Sequence, residues 1–138
     1  MPSTSLAVAG AGALILPIHT HGARYYKVTQ ATIGKTVCVK GWTATIRPPA
    51  GYTSALKRTQ LAAWRYANRN PRHYEEDHLI SLELGGAPRS RKNLWPEPHS
   101  QSAKSDPKEN SWRKKVCDGT LTLKQAQKLE LAYKRKYG

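Results

Sequence analysis

The sequence predicts a small α+β protein. At its centre is a strand–turn–strand–helix core, with a β-rich segment before it and helices flanking it. Three observations lead there. Leu79 to Leu84 alternates apolar and polar residues partly, as a strand would, and Gly85-Gly86 then turns the chain. Asn93-Leu94-Trp95 opens a second short strand, which Pro96 and Pro98 should stop. Asp106-Pro107-Lys108-Glu109 then carries a helix start: Asp caps, Pro suits the first helical position, and Glu closes a capping box. That helix should run to about Cys117, with Gly119 as its stop.

The remaining elements follow in order. Residues 1–23 carry no formal charge, and the first cation is Arg24. Leu6 to Ile18 is apolar, too short to span a membrane, and of a length that suits a signal-peptide core. The expectation is an export signal or a disordered N-terminus over 1–23, outside the folded part, with Ala23 as a cut site. A single domain then covers 24–138. The protein would be secreted or held in the cell envelope, and cytoplasmic if 1–23 is not a signal. No membrane span is expected in the mature chain, and a monomer is.

Val28 to Ile46 reads as β-rich. Thr36-Val37-Cys38-Val39 and Trp42-Thr43-Ala44-Thr45-Ile46 flank Lys40-Gly41 as a hairpin would. Arg47-Pro48-Pro49-Ala50-Gly51 breaks structure. Ser54 to Asn68 should be a helix capped by Thr53 or Ser54, with Leu61, Trp64 and Asn68 on one side. Asn70-Pro71 ends it. Thr122 to Gln125 is a second capping box. The helix after it should bury Ala126, Leu129, Tyr133 and Tyr137 along one face.

Charge narrows the function class. The 138 residues carry 23 Lys/Arg against 9 Asp/Glu, a formal charge of +14, which attracts polyanions, chiefly nucleic acid. The balance is uneven. Residues 24–74 hold ten Lys/Arg and no acid, whereas residues 73–103 hold five acids and three Lys/Arg. An acidic island in a basic chain suits a cation-dependent enzyme acting on a polyanion. Four Trp and seven Tyr can supply core or base-stacking surfaces. The two cysteines, Cys38 and Cys117, cannot form a four-ligand zinc site, and exported protein could join them.

Glu75-Glu76-Asp77-His78-Leu79-Ile80-Ser81-Leu82-Glu83-Leu84-Gly85-Gly86, then Asn93-Leu94-Trp95-Pro96-Glu97-Pro98, then Asp106 with Glu109, form an ordered string. At these residues the chain resembles the His-Asn-His (HNH) and related ββα-metal nucleases. More narrowly it resembles a group of small bacterial, often exported proteins. The resemblance covers about residues 28–138. It implies a ββα-metal core and a divalent-metal-dependent endonuclease hydrolysing DNA with low sequence specificity, RNA being the second choice of substrate. Two departures stand out. Ser81 occupies a position where many HNH strands have Pro, and no Cys-x-x-Cys pair holds a structural zinc.

Phosphodiester hydrolysis needs an activated water and neutralised phosphate charge. His78 suits the base, its reference pKa lying near neutrality. The resemblance implies that Asn93 supports the geometry around it. Asp77 is a hard oxygen ligand for a divalent cation. The second ligand is open among His99, Asp106, Glu109 and Asn110, with Glu109 and His99 the leading alternatives. An all-oxygen set favours Mg²⁺ or Mn²⁺, and a His ligand shifts the choice toward Zn²⁺ or Ni²⁺. Glu75 and Glu76 read as solvated acids. Arg89, Arg91 and Lys92 between the two strands, and Arg113 and Lys114 on the following helix, are the candidate nucleic-acid contacts. The alternatives are a non-catalytic nucleic-acid-binding module with the same fold, or a secreted nuclease toxin.

Overall fold

The computed structural model describes residues 13–138. It is mixed α and β, with one two-stranded antiparallel sheet. The strands are β1, Tyr74–His78, and β2, Leu94–Pro98. The helices are α1, Trp42–Ile46; α2, Ala50–Ala63; α3, His99–Cys117; and α4, Leu123–Tyr137. Among the described residues no helix is long and apolar enough to cross a membrane. The expected export signal falls partly on residues 1–12, which lie outside the described residues.

The first strand is not where the apolar run stands. It is the acidic stretch before it, with Glu75 opposite Glu97, Asp77 opposite Trp95 and His78 opposite Leu94. Leu79 to Leu84 is buried instead as a loop ending in a 3-10 turn over Leu82–Leu84. A buried loop must satisfy its backbone without a sheet. Asn93 does this here: its Oδ1 accepts from the Ile80 N–H at 2.9 Å, and its Nδ2 donates to Ile80 O and Ala87 O at 3.0 Å each. Gly86 permits the close return, because a Cβ there would stand 1.7 Å from Ile80 O. Pro96 lies inside β2 rather than stopping it, and the strand ends at Pro98. A two-stranded sheet tolerates them, since each strand has an edge that needs no N–H donor.

The expected hairpin over Thr36–Ile46 is absent. That segment is a 3-10 turn at Ile33–Lys35 followed by α1, which enters through Gly41 at φ 81. Its threonines bond back to local carbonyls, Thr36 Oγ1 to Thr32 O and Thr45 Oγ1 to Trp42 O, and this competes with strand pairing. Helix α2 starts at Ala50, not Ser54, because Pro49 already holds the extended conformation of a cap. It ends at Ala63, not Asn68, because Arg65 turns left-handed at φ 54 and the Tyr66 N–H returns to Leu61 O.

Helix α3 starts at His99 and runs through Pro107, so Asp106 and Glu109 are mid-helix residues and not the ends of a capping box. On α4 the Thr122–Gln125 box is formed. The buried stripe, however, is Leu123, Ala126, Gln127, Glu130 and Lys134, while Leu129 and Tyr137 are exposed.

Residues 13–23 pack on the domain rather than standing outside it. Gln101 bonds both the N–H and the carbonyl of Ile15 at 2.8 Å, and the Gly22 N–H donates to Lys92 O. The central core gathers Val28, Val37, Ile80, Leu84, Val116, Leu123 and Ala126. Beside it a disulfide joins Cys38 to Cys117, whose Cα atoms are 5.7 Å apart. Closing that loop should limit the unfolded chain by about 4–5 kcal/mol in the entropy model. Thiol titration of the unreduced, denatured protein is expected to find no free thiol. Two free thiols would rule the bond out.

Candidate functional site

A cavity of about 390 Å³ opens beside β1, lined by Thr43, Arg47, Glu75, Glu76, Asp77, His78, Ser81, Leu82, Glu83, Asp106, Glu109 and Asn110. Four consecutive strand residues line it. Alternate residues point to opposite faces, so the cavity runs along the edge of β1 away from β2. This is how Asp77 and His78, neighbours in sequence, both reach one space.

The chain has nine carboxylates, and eight of them gather here. Six line the cavity. Glu97 lies behind Asp77, and Glu130 lies in the floor. Asp118 alone stands apart, on the exposed turn after α3. The sequence points to Asp77, Asp106 and Glu109 but leaves Glu75 and Glu76 as solvated acids, and it gives no role to Glu97 and Glu130. One signal was present for Glu130: it is the single acid among five Lys/Arg in residues 119–138.

The floor is built around Lys134. Its ammonium is fully buried, 3.2 Å from Asp77 Oδ2, 2.5 Å from Glu109 Oε2 and 3.6 Å from Glu130 Oε2. It also donates to His78 O at 2.8 Å. Burial alone would lower its pKa, but Asp77, Glu130 and Glu109 hold it well above the value of free lysine. Burial likewise works against an ionised Asp77. The Lys134 ammonium and a hydrogen bond from Glu97 outweigh it and keep Asp77 below the usual carboxylate range. Burial, with the Asp77 charge behind it, pushes Glu97 up to about 10. Glu97 therefore stays protonated at neutral pH and can donate to Asp77. Glu130 Oε1 accepts from the Ser81 N–H at 3.0 Å.

His78 is nearly buried. Its Nε2 lies 2.9 Å from Pro88 O, an acceptor only, so Nε2 carries the proton and Nδ1 keeps the lone pair. Burial lowers its pKa, and the Pro88 bond and the Asp77 charge oppose that only in part. The ring is therefore neutral at pH 7 and chemically ready to accept a proton. Asn93 does not touch the cavity. It fixes the loop that carries Pro88, with its Oδ1 also accepting from the Ala23 N–H at 3.2 Å.

The donors suit a hard cation. Both oxygens of Glu76 are buried without a hydrogen-bond partner, whereas Glu109 Oε2 meets the Lys134 ammonium. Burial pushes Glu75 up to about 7 and Glu76 to about 8, as expected of crowded carboxylates short of positive charge. The candidate ligands separate clearly. Glu109 meets Asp77, though with Lys134 between them. Asp106 lines the cavity. With its amide nitrogen turned inward, Asn110 donates to both Glu83 oxygens at 2.8 and 3.0 Å. His99 is exposed at the start of α3 and lines no part of the cavity. Among the described residues no group of three or more such side chains is already arranged around one point.

The basic candidates divide too. Arg89 lies over the Tyr52 ring at 4.7 Å, and Tyr52 donates to Arg89 O at 2.6 Å. Pro88 neighbours it, so Arg89 stands close to His78. Arg91 and Lys92 are exposed on the next turn. Arg113 is engaged inside the protein, its Nε donating to Val37 O at 2.7 Å, while Lys114 is exposed. Arg47, which the sequence reading left as part of a chain break, is the one cation lining the cavity. Comparison with protein-family models, with curated proteins and with solved structures returns no match.

Proposed function

We propose that the protein is a divalent-metal-dependent endonuclease of the HNH type that hydrolyses DNA phosphodiesters with low sequence specificity. The observation that carries this reading is the gathering of eight of nine carboxylates around a cavity edged by a neutral His78, in a chain of charge +14. Such crowding is unfavourable unless a cation joins it. The surrounding charge draws in the polyanion whose phosphate completes the site.

In this reading His78 takes the proton from the attacking water at Nδ1. The Pro88 carbonyl holds the ring tautomer, and Lys134 anchors the His78 backbone. Asp77 and Glu109, with Glu75 and Asp106 of the same lining, would be the oxygen donors for Mg²⁺ or Mn²⁺. The ion, when bound, would offset charge on the phosphate and the departing oxygen. Arg47 and Arg89 supply further positive charge near the scissile group. A second reading, a nucleic-acid-binding module without cleavage, is favoured by one observation: the Lys134 ammonium already fills the space between Asp77 and Glu109.

Supercoiled plasmid separates the two. Purified protein with Mg²⁺ or Mn²⁺ is expected to convert it to the nicked form, and chelation to stop the conversion. Plasmid bound but never nicked with either metal would leave the binding module.

A further inference from the structure

A second, smaller recess of about 180 Å³ lies away from the carboxylates, lined by Ser54, Lys57 and Arg58 of α2 and by Pro71 and Arg72 before β1. It contains three cations, one hydroxyl and no acid. Every ion pair among the described residues involves Lys134, so these three cations have no carboxylate within pairing distance. The Lys57 ammonium is held in place by donating to Tyr74 O at 2.9 Å, which leaves it two further N–H donors. Asn70 fixes the other wall by accepting from the Arg72 N–H at 3.1 Å. The recess is smaller than a typical small-molecule site, of the size for a single oxyanion and not for a nucleotide.

Its place relative to His78 is set by β1. Lys57 meets the chain at Tyr74, the first strand residue, and His78 is the last. Four residues of strand span about 13 Å. One DNA strand advances about 3.4 Å of duplex axis per phosphate and farther along its own winding path, so the recess lies within about four phosphates of His78.

We propose that this recess is a phosphate subsite that takes a backbone phosphate of the DNA within about four nucleotides of the scissile bond. The inference rests on the nucleic-acid reading of the cavity. It also gives a role to cations of the acid-free stretch 24–74. Arg89 and Arg47 hold the strand at the His78 end, and Lys57, Arg58 and Arg72 hold it at the Tyr74 end. Two separated grips orient the polymer along β1 without reading its bases.

The test uses binding and does not require cleavage. A short labelled duplex is titrated with the His78→Ala protein between about 50 and 200 mM salt. Adding Arg58→Ala and Arg72→Ala, both exposed positions, should make the slope of log affinity against log salt shallower by about 0.9, the value for one lost phosphate contact. Lys124→Ala with Lys128→Ala removes the same charge from the exposed face of α4 and should change the slope by less than half as much. A neutral methylphosphonate moved one linkage at a time over the about four linkages next to the cut position should, at one of them, erase most of the difference between the Arg58/Arg72 variant and its parent. Equal slopes for the two double variants, or no effect of the neutral linkage at any position, would overturn the subsite. If the protein with His78 intact never nicks but these slopes are found, the nuclease reading is lost and the subsite stays. If the protein with His78 intact nicks while the Arg58/Arg72 variant binds unchanged, the subsite alone is lost.

Discussion

His78→Ala is expected to lose plasmid nicking by about 10²–10⁴-fold, the usual contribution of a positioned general base, while binding DNA nearly as well as the parent. The separation follows from where the charge lies. The substitution removes a neutral ring from the cavity and leaves every Lys and Arg in place. The parent's pH profile carries a second signature. Burial lowers the His78 pKa below that of free histidine, so the base is already deprotonated at neutral pH. The nicking rate should climb with pH on the acid side and level off before about pH 7, lower than an unperturbed imidazole would give. A folded His78→Ala protein that nicks like the parent would remove His78 from the mechanism. A rate limb centred well above pH 7 would assign the base to another group.

Lys134→Met should destabilise the fold by about 3–5 kcal/mol at pH 8, the cost typical of breaking a buried pair from one side. That is a large part of the 5–15 kcal/mol that holds a domain together. Met keeps most of the side-chain volume, so packing loss is small. What disappears is the only positive charge among Asp77, Glu109 and Glu130. Without it these carboxyls are harder to ionise in the folded state than in the unfolded chain. Groups whose folded pKa is raised give stability that is present at low pH and lost as pH rises through the folded value. The deficit should therefore be small near pH 4.5 and grow toward pH 8. Urea unfolding at both pH values measures it, and Asp77→Asn with Glu109→Gln and Glu130→Gln should recover much of the loss. A deficit under about 1 kcal/mol at pH 8, or one that does not vary with pH, would mean that the cage contributes little.

Much of the site's location was legible, and little of its construction. Asp77 and His78 were readable because a carboxylate beside a histidine carries chemistry whatever the fold. The Thr122–Gln125 box was readable because it is local. Cys38 and Cys117 offered a single pairing. Two of the misreadings share one cause, the use of hydrophobicity as a proxy for burial. On α4 the apolar residues Leu129 and Tyr137 face water, while Glu130 and Lys134 are buried, since Lys134 meets Glu130 one turn back on the same helix and Asp77 and Glu109 on β1 and α3. Along β1 the apolar run was taken for the strand, yet the acids before it pair with β2. At Asp106 a good local helix start lost to a longer helix, in which the same residues face the cavity. Each competing force acts between segments distant in sequence, where a local pattern carries no record of it.

Asn93 imposes a length on the chain. Its one amide grips the Ile80 peptide unit, the Ala87 carbonyl and the Ala23 N–H. The connection from Leu79 to Leu94, long enough to look like a tolerant surface loop, is thereby measured off residue by residue. Inserting even one residue between Ile80 and Ala87 would carry Pro88 away from the His78 ring. Only the exposed tip at Arg89 and Arg91, past the last of these grips, leaves room for the chain to grow. Variation in loop length should be confined there, and a protein engineer seeking an attachment point near the cavity would find it at the tip alone.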